Sequence, residues 1–227
     1  MSPMGRRKLE GVLLDVDGTL IDSNHAHAQS WSDTFREFGY DITAERVRPL
    51  IGKGGDKLLP ELAGVDADSE RGKALTERRA AIFREHYIPK LRQTRGARAL
   101  VERLRKEGLR LIIATSANEE ELRPMLHQVG FEDLLTRKTS SDDADNSKPD
   151  PDIIIAALHK GGLTPDTAIL LGDTPYDIEA ATRASVETVA LLSGGWDADA
   201  LQGAVAIYED PDDLVRHFTA SPFACVG

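Results

Sequence analysis

The chain predicts an α/β fold: a Rossmann-like open parallel sheet flanked by helices, with an inserted all-helical cap domain. Four short apolar runs, "GVLLDVD", "LRLIIATS", "AILLGD" and "TVALLSGG", are rich in Val, Ile and Leu and lack the alternation of a half-solvated strand. They suit parallel strands covered on both faces. Amphipathic helical stretches lie between them, which gives a βαβα order and right-handed crossovers. From about Ser23 to Leu91 the pattern is helical without a strand, so the insertion follows the first strand.

The first strand closes on Leu13 and Leu14 just before Asp15, and Ile21 to Ser23 read as the first hinge strand into the insertion. Helices are expected at His25 to Phe38, Gly55 to Leu62 and Ser69 to Tyr87, separated by "GYDIT", "IGKGG" and "AGVDAD". Beyond the insertion, Ala97, Leu100, Val101 and Leu104 repeat at helical spacing, and Gly108 stops that helix before the strand from Leu109. Glu119 to Val129 and Asp150 to Lys160 follow, the second with Pro151 at a first-turn position. The expected organisation is an N-terminal tail over 1–8, a core over 9–21 and 93–227, and a helical cap over 22–92. Such an insertion lies over the carboxyl edge of the sheet, where open α/β folds bind ligands.

At 227 residues the chain can bury a sizeable core. Its net charge, 28 minus 38 or −10, opposes loose binding to nucleic acid or to an anionic membrane surface. An anionic substrate must therefore be met by local positive charge or by a metal. The single cysteine, Cys225, excludes an intrachain disulfide. The basic start "MSPMGRRK" leads into no apolar signal stretch. No run approaches the ~18 apolar residues of a membrane span. A cytoplasmic protein is expected.

Three strand ends deliver chemistry to one edge: Asp15 after the first strand, Thr115 at the end of "LIIAT", and Asp173 at the end of "AILLGD". Lys148, in "NSKPDPD", precedes a helix. Asp15, Asp17, Asp173 and Asp177 cannot crowd together as bare ions, because like carboxylates raise one another's pKa. Mg²⁺ removes that penalty, since it takes hard oxygen ligands and keeps waters and a phosphate oxygen. The set then meets the needs of phosphoryl transfer. Asp15 is the candidate nucleophile and Asp17 the general acid and base. Thr115 and the amide of Ser116 are candidates to hold phosphate oxygens, and Lys148 to offset the charge.

Taken in order, "DVDGT", "ATS", "SKPDPD" and "GDTPYD" resemble the haloacid dehalogenase superfamily, in the branch with a helical cap after the first motif. That branch includes phosphoglycolate phosphatases and β-phosphoglucomutases. The likeness runs from about Leu9 to Phe218. It implies a Mg²⁺-dependent phosphatase that forms an aspartyl phosphate on Asp15, with Asp173 and Asp177 as metal acids. It also implies that Asp17 ligates the metal through its backbone carbonyl and that Asp177 acts directly or through a water.

Blander readings stand beside these. Asp15 and Asp17 could form a polar turn, Thr115 a helix cap, Lys148 a surface lysine, and Asp177 a favoured first-turn acid. In "IGKGGDKLLPEL", Lys53 is either a specificity residue reaching the substrate or a solvated lysine, and Lys57 is the other basic candidate nearby. His27 matches a hinge histidine of β-phosphoglucomutases and is equally a histidine satisfied between cap and core, with Trp31 one turn on. The acidic "SSDDADNSKPD" lacks the glycine and closing glutamate of an EF-hand. The expected substrate is a small phosphorylated metabolite such as phosphoglycolate or a sugar phosphate. The rival functions are a phosphosugar mutase, a metal-independent haloacid dehalogenase and a receiver-type phospho-switch.

Overall fold

Parallel pairing sets the architecture. In the computed structural model, which describes residues 9–224, six strands make one sheet in the order β3-β2-β1-β4-β5-β6. They are β1 Gly11–Leu14, β2 Arg110–Ala114, β3 Lys138–Thr139, β4 Ala168–Gly172, β5 Glu187–Leu191 and β6 Ala206–Tyr208. Every pairing is parallel, with Leu13 opposite both Ile112 and Leu170. The expected tail over 1–8 and Cys225 lie outside the described residues.

Burial on both faces explains the unalternated strands. Val12, Leu14, Ile113 and Leu171 face one cluster, joined by helices α5 (Ala97–Lys106), α6 (Glu119–Val129) and α9 (Pro211–Arg216). Leu13, Ile112 and Leu170 face the other, joined by α7 (Asp152–Gly161) and α8 (Pro175–Arg183). Alternate residues of each strand thus serve opposite layers.

Between β1 and α5 the chain is helical: α1 Asn24–Glu37, α2 Ala44–Val47, α3 Gly55–Ala63 and α4 Glu70–Ile82. These helices bury a cluster of their own around Trp31, Phe35, Leu58, Leu59 and Leu75. The segment leaves and rejoins side by side, since the Asp22 amide donates to the Arg92 carbonyl at 3.0 Å and the Thr94 amide to that of Leu20 at 3.0 Å. Phe83 and Ile88, on its returning end, pack into the sheet's cluster instead. Among the described residues no helix is long and apolar enough to cross a membrane.

Some elements differ from expectation. The helix expected over Ser69 to Tyr87 ends at Ile82 and passes into a π-type turn, Phe83–Tyr87, with the Ser69 hydroxyl capping its start at the Gly72 amide, 3.1 Å away. The helix expected from Asp150 starts at Asp152, with Pro151 as its cap residue rather than in its first turn. Asp150 precedes a proline, which disfavours helical backbone, and its carboxylate pairs with Lys57 at 2.9 Å and Arg183 at 3.0 Å. Strands β3 and β6 span two and three residues at the sheet's edges; β3 carries no apolar run, while β6 lies in the short run "AVAIY", which is not among the expected strands.

Candidate active site

Adjacent strand ends build the site. β1 lies between β2 and β4, so the residues that follow these strands, Asp15, Thr115 and Asp173, emerge side by side on one edge. Lys148 reaches them from the loop before α7. It is 1% exposed, and its Nζ donates to Asp15 Oδ1 at 2.6 Å and to Asp177 Oδ1 at 2.7 Å. It is not a surface lysine. Asp177 serves two partners: its Oδ2 accepts from the Thr174 hydroxyl at 2.7 Å and the Thr174 amide at 3.0 Å, which closes the first turn of α8. The first-turn role and the Lys148 contact therefore use opposite oxygens of one carboxylate. Asp15, Asp173 and Asp177 each place a carboxylate oxygen within 4.8 Å of the others.

Burial makes this cluster electrostatically costly. Desolvation raises the Asp15 carboxyl to about 7; Lys148 opposes the shift, while Asp177 and Asp17 add to it. Desolvation first, then the charges of Asp15 and Asp177, push Asp173 well above the ordinary range. Burial works against the charge on Lys148, yet Asp15 and Asp177 outweigh it and hold the ammonium firmly protonated. Lys148 thus meets two of the three buried acids, and the charge of Arg48 acts on the third, Asp173. That donor set, all hard oxygens and short of positive charge, fits a divalent cation such as Mg²⁺. A buried amide oxygen beside it, Asn24 Oδ1, also lacks a hydrogen-bond partner.

The side chain of Asp17 stands apart from that group. Its Oδ1 accepts from the Ser23 hydroxyl and meets His27 Nε2 at 2.7 Å. Burial alone would raise the Asp17 carboxyl, but the charge and hydrogen bond of His27, with that of Ser23, hold it below the ordinary value. His27 stacks on Phe83 at 4.2 Å and meets Arg79 through Nδ1. Arg79 in turn pairs with Glu121 at 2.5 Å, from α4 to α6.

Arg79, Glu121 and Asn24 are functional candidates that sequence reasoning missed. One signal was present: Leu75, Arg79 and Ile82 share the buried face of α4, so a cation occupies an apolar stripe.

Asp15, Asp17, His27, Arg79 and Glu121 line a cavity of about 530 Å³ between the sheet edge and the helical segment. Thr115 and Ser116 lie on its sheet side, and Trp31 and Lys53 on the other. Thr115 does not cap α6; that cap is Asn118, whose Oδ1 accepts from the Glu121 amide at 2.9 Å. The Ser116 hydroxyl donates to the Gly52 carbonyl at 3.2 Å, and the Gly54 amide to the Ser147 hydroxyl at 3.0 Å. Lys53 pairs with Glu61 at 2.6 Å and lies 4.9 Å above the Tyr176 ring, so it is held rather than freely solvated. Lys57 faces Asp150, away from the acids.

Carboxylates at the ends of adjacent parallel strands, answered by one buried lysine, define an acid-centred hydrolytic site on an open α/β sheet. The sequence matches the family of haloacid dehalogenase-like hydrolases over residues 12–191, and the chain belongs to that family. It is an enzyme of the family's phosphatase class. A phosphoglycolate phosphatase of Pseudomonas putida is 30% identical over 188 residues, covering 81% of this chain and 69% of that one. A hydrolase from Pseudomonas syringae superposes with a TM-score of 0.86 at 30% identity, over 93% of this chain and 98% of that one. A structure provisionally assigned as a β-phosphoglucomutase, from Bacteroides vulgatus, gives 0.85 at 25% identity, over 98% and 92%.

Proposed function

We propose that the protein is a Mg²⁺-dependent phosphatase that hydrolyses a small phosphate monoester through an aspartyl phosphate on Asp15. The observation that supports this most is the Lys148 ammonium, buried and 2.6 Å from Oδ1 of Asp15, which lines the cavity. A cation there offsets the charge of nucleophile and phosphate together.

In this reading the Asp15 carboxylate attacks phosphorus and forms the acyl phosphate, while the leaving alkoxide takes a proton from Asp17. Water then attacks phosphorus, Asp17 takes its proton, and Asp15 is released with inorganic phosphate. Both contacts of Asp17 fall on Oδ1, which leaves Oδ2 to carry that proton. The Thr115 hydroxyl and Ser116 amide hold phosphate oxygens. Mg²⁺, held by Asp15, Asp173, the Asp17 carbonyl and Asp177 directly or through a water, would supply positive charge to the phosphate oxygens. Residues 22–92 act as a cap that excludes bulk water and selects the leaving group, with Lys53 and His27 facing it. The similarity to a phosphoglycolate phosphatase supports a small phosphorylated metabolite as substrate.

Release of phosphate from p-nitrophenyl phosphate and from a panel of phosphorylated metabolites, with Mg²⁺ and with EDTA, tests the proposal. Mg²⁺-dependent release is expected; no release from any substrate refutes it, phosphate release that survives EDTA refutes its metal dependence, and halide release from a 2-haloacid in EDTA selects dehalogenase chemistry. One contact favours a second reading. His27 Nε2 lies 2.7 Å from Asp17, which suits an acid and base held for a phosphosugar mutase. Isomerisation of β-glucose 1-phosphate in place of phosphate release would select that reading.

A further inference from the structure

Asn24, the first residue of α1, is 3% exposed and touches one of the site's acids. Its Nδ2 donates to Asp173 Oδ2 at 2.9 Å and to the Gly194 carbonyl at 3.3 Å. The Gly194 carbonyl only accepts, so the amide nitrogen must be the atom that faces it. This fixes Oδ1 on the other side, buried and without a hydrogen-bond partner. An acceptor left unmade in that way carries the desolvation cost of the group.

The surroundings hold the pair tightly. A Cβ on Gly18, whose φ is +76°, would fall 2.2 Å from both Asn24 Nδ2 and Asp173 Oδ2. One on Gly194 would fall 1.8 Å from Asp173 Oδ2. Backbone therefore closes on Asp173 from two sides, and the Thr19 hydroxyl donates to its Oδ1 at 3.1 Å. What Asn24 adds is a contact from the helical segment. Arg48 of the same segment donates to the same Gly194 carbonyl, so two of its residues converge beside Asp173.

We propose that Asn24 is a positioning residue of the metal site, which holds the Asp173 carboxylate in place through Nδ2. This rests on the reading of Asp15, Asp173 and Asp177 as a Mg²⁺ site. Because Asn24 opens α1, the same amide links metal occupancy to the seating of the helical segment.

Calorimetric titration of the metal-free full chain with MgCl₂ tests this, alongside thermal melts of each metal-free protein. Asn24→Ala is expected to weaken Mg²⁺ binding by about 10- to 100-fold, the usual effect of removing a partner that orients a metal ligand. Asn24→Ser, which keeps a short hydroxyl, is expected to lose less and decides the matter if the alanine variant does not fold. Mg²⁺ affinity within about twofold of wild type in a folded variant overturns the proposal, whatever happens to the melting temperature, because the amide then serves folding alone. A wild-type chain that binds no Mg²⁺ refutes the metal reading itself, and this inference with it.

Discussion

Lys148 Nζ sits 2.6 Å from Asp15 Oδ1 and 2.7 Å from Asp177 Oδ1, with all three side chains buried. The lysine is the sole basic side chain within salt-bridge distance of either acid among the described residues. Lys148→Met should lower kcat by about 100-fold or more, as loss of one charge-stabilising donor does. It should also destabilise the fold by ~3–5 kcal/mol at pH 8, where two buried acids lose their counter-charge. Steady-state kinetics and urea unfolding check both; a variant with near-normal kcat contradicts the role given to Lys148.

Asp15→Asn removes the proposed nucleophile and, at pH 8, one buried negative charge together. Turnover should vanish, and acid-quenched enzyme should carry no phosphate on the protein when measured by intact mass. Stability should move the other way. Asp15 is titrated with difficulty, its pKa raised to about 7 chiefly by desolvation, so a neutral amide at pH 8 should leave the metal-free melting temperature equal or higher. Residual turnover near wild type refutes the nucleophile assignment.

The sheet was legible because its strands are buried on both faces: Val12 to Leu14 and Ile169 to Leu171 read as apolar blocks, and the acids follow at their ends. The edge strands β3 and β6 were not: Lys138–Thr139 has no apolar run, and Ala206–Tyr208 lies in the short run "AVAIY", whose strand residues are only half-buried. Site residues carried on motifs, Asp15, Asp173 and Lys148, stood out for the same reason of position. Residues that act across the fold did not. Asn24 meets Asp173 across 149 positions of sequence, and Arg79 meets Glu121 across 42, separations that no local pattern encodes.

That buried Arg79–Glu121 pair spans α4 and α6, with side chains 11% and 9% exposed. Glu121→Leu should cost ~3–5 kcal/mol, because the guanidinium is left buried without its carboxylate. Arg79→Met combined with Glu121→Leu should recover much of that loss, since an apolar pair needs no counter-charge. Urea unfolding of the two single variants and the double variant measures the coupling. Additive losses would show that the two charges do not depend on each other.

The last prediction concerns pH and metal together. An acid whose carboxyl is raised on folding binds its proton more tightly in the native state, so stability falls as pH rises from the ordinary value to the raised one. For Asp15 that window runs from 3.8 to about 7, and Asp173 has the same sign. Asp17 has the opposite sign: its lowered carboxyl adds stability above the ordinary carboxylate range and loses it as pH falls through its lowered value. The raised Lys148 adds stability throughout the region below the ordinary lysine value of 10.5, so it contributes no slope between pH 5.5 and 7.5. Metal-free protein should therefore melt lower at pH 7.5 than at pH 5.5, each unit of titration removing about 1.4 kcal/mol per group at most. Mg²⁺ binds the deprotonated acids, so its stabilising effect should be large at pH 7.5 and small at pH 5.5. Thermal melts at the two pH values, with MgCl₂ and with EDTA, make the comparison. A metal-free melting temperature that rises across this window, or an equal Mg²⁺ effect at both ends, would show that Asp15 and Asp173 are not the acids the cation relieves.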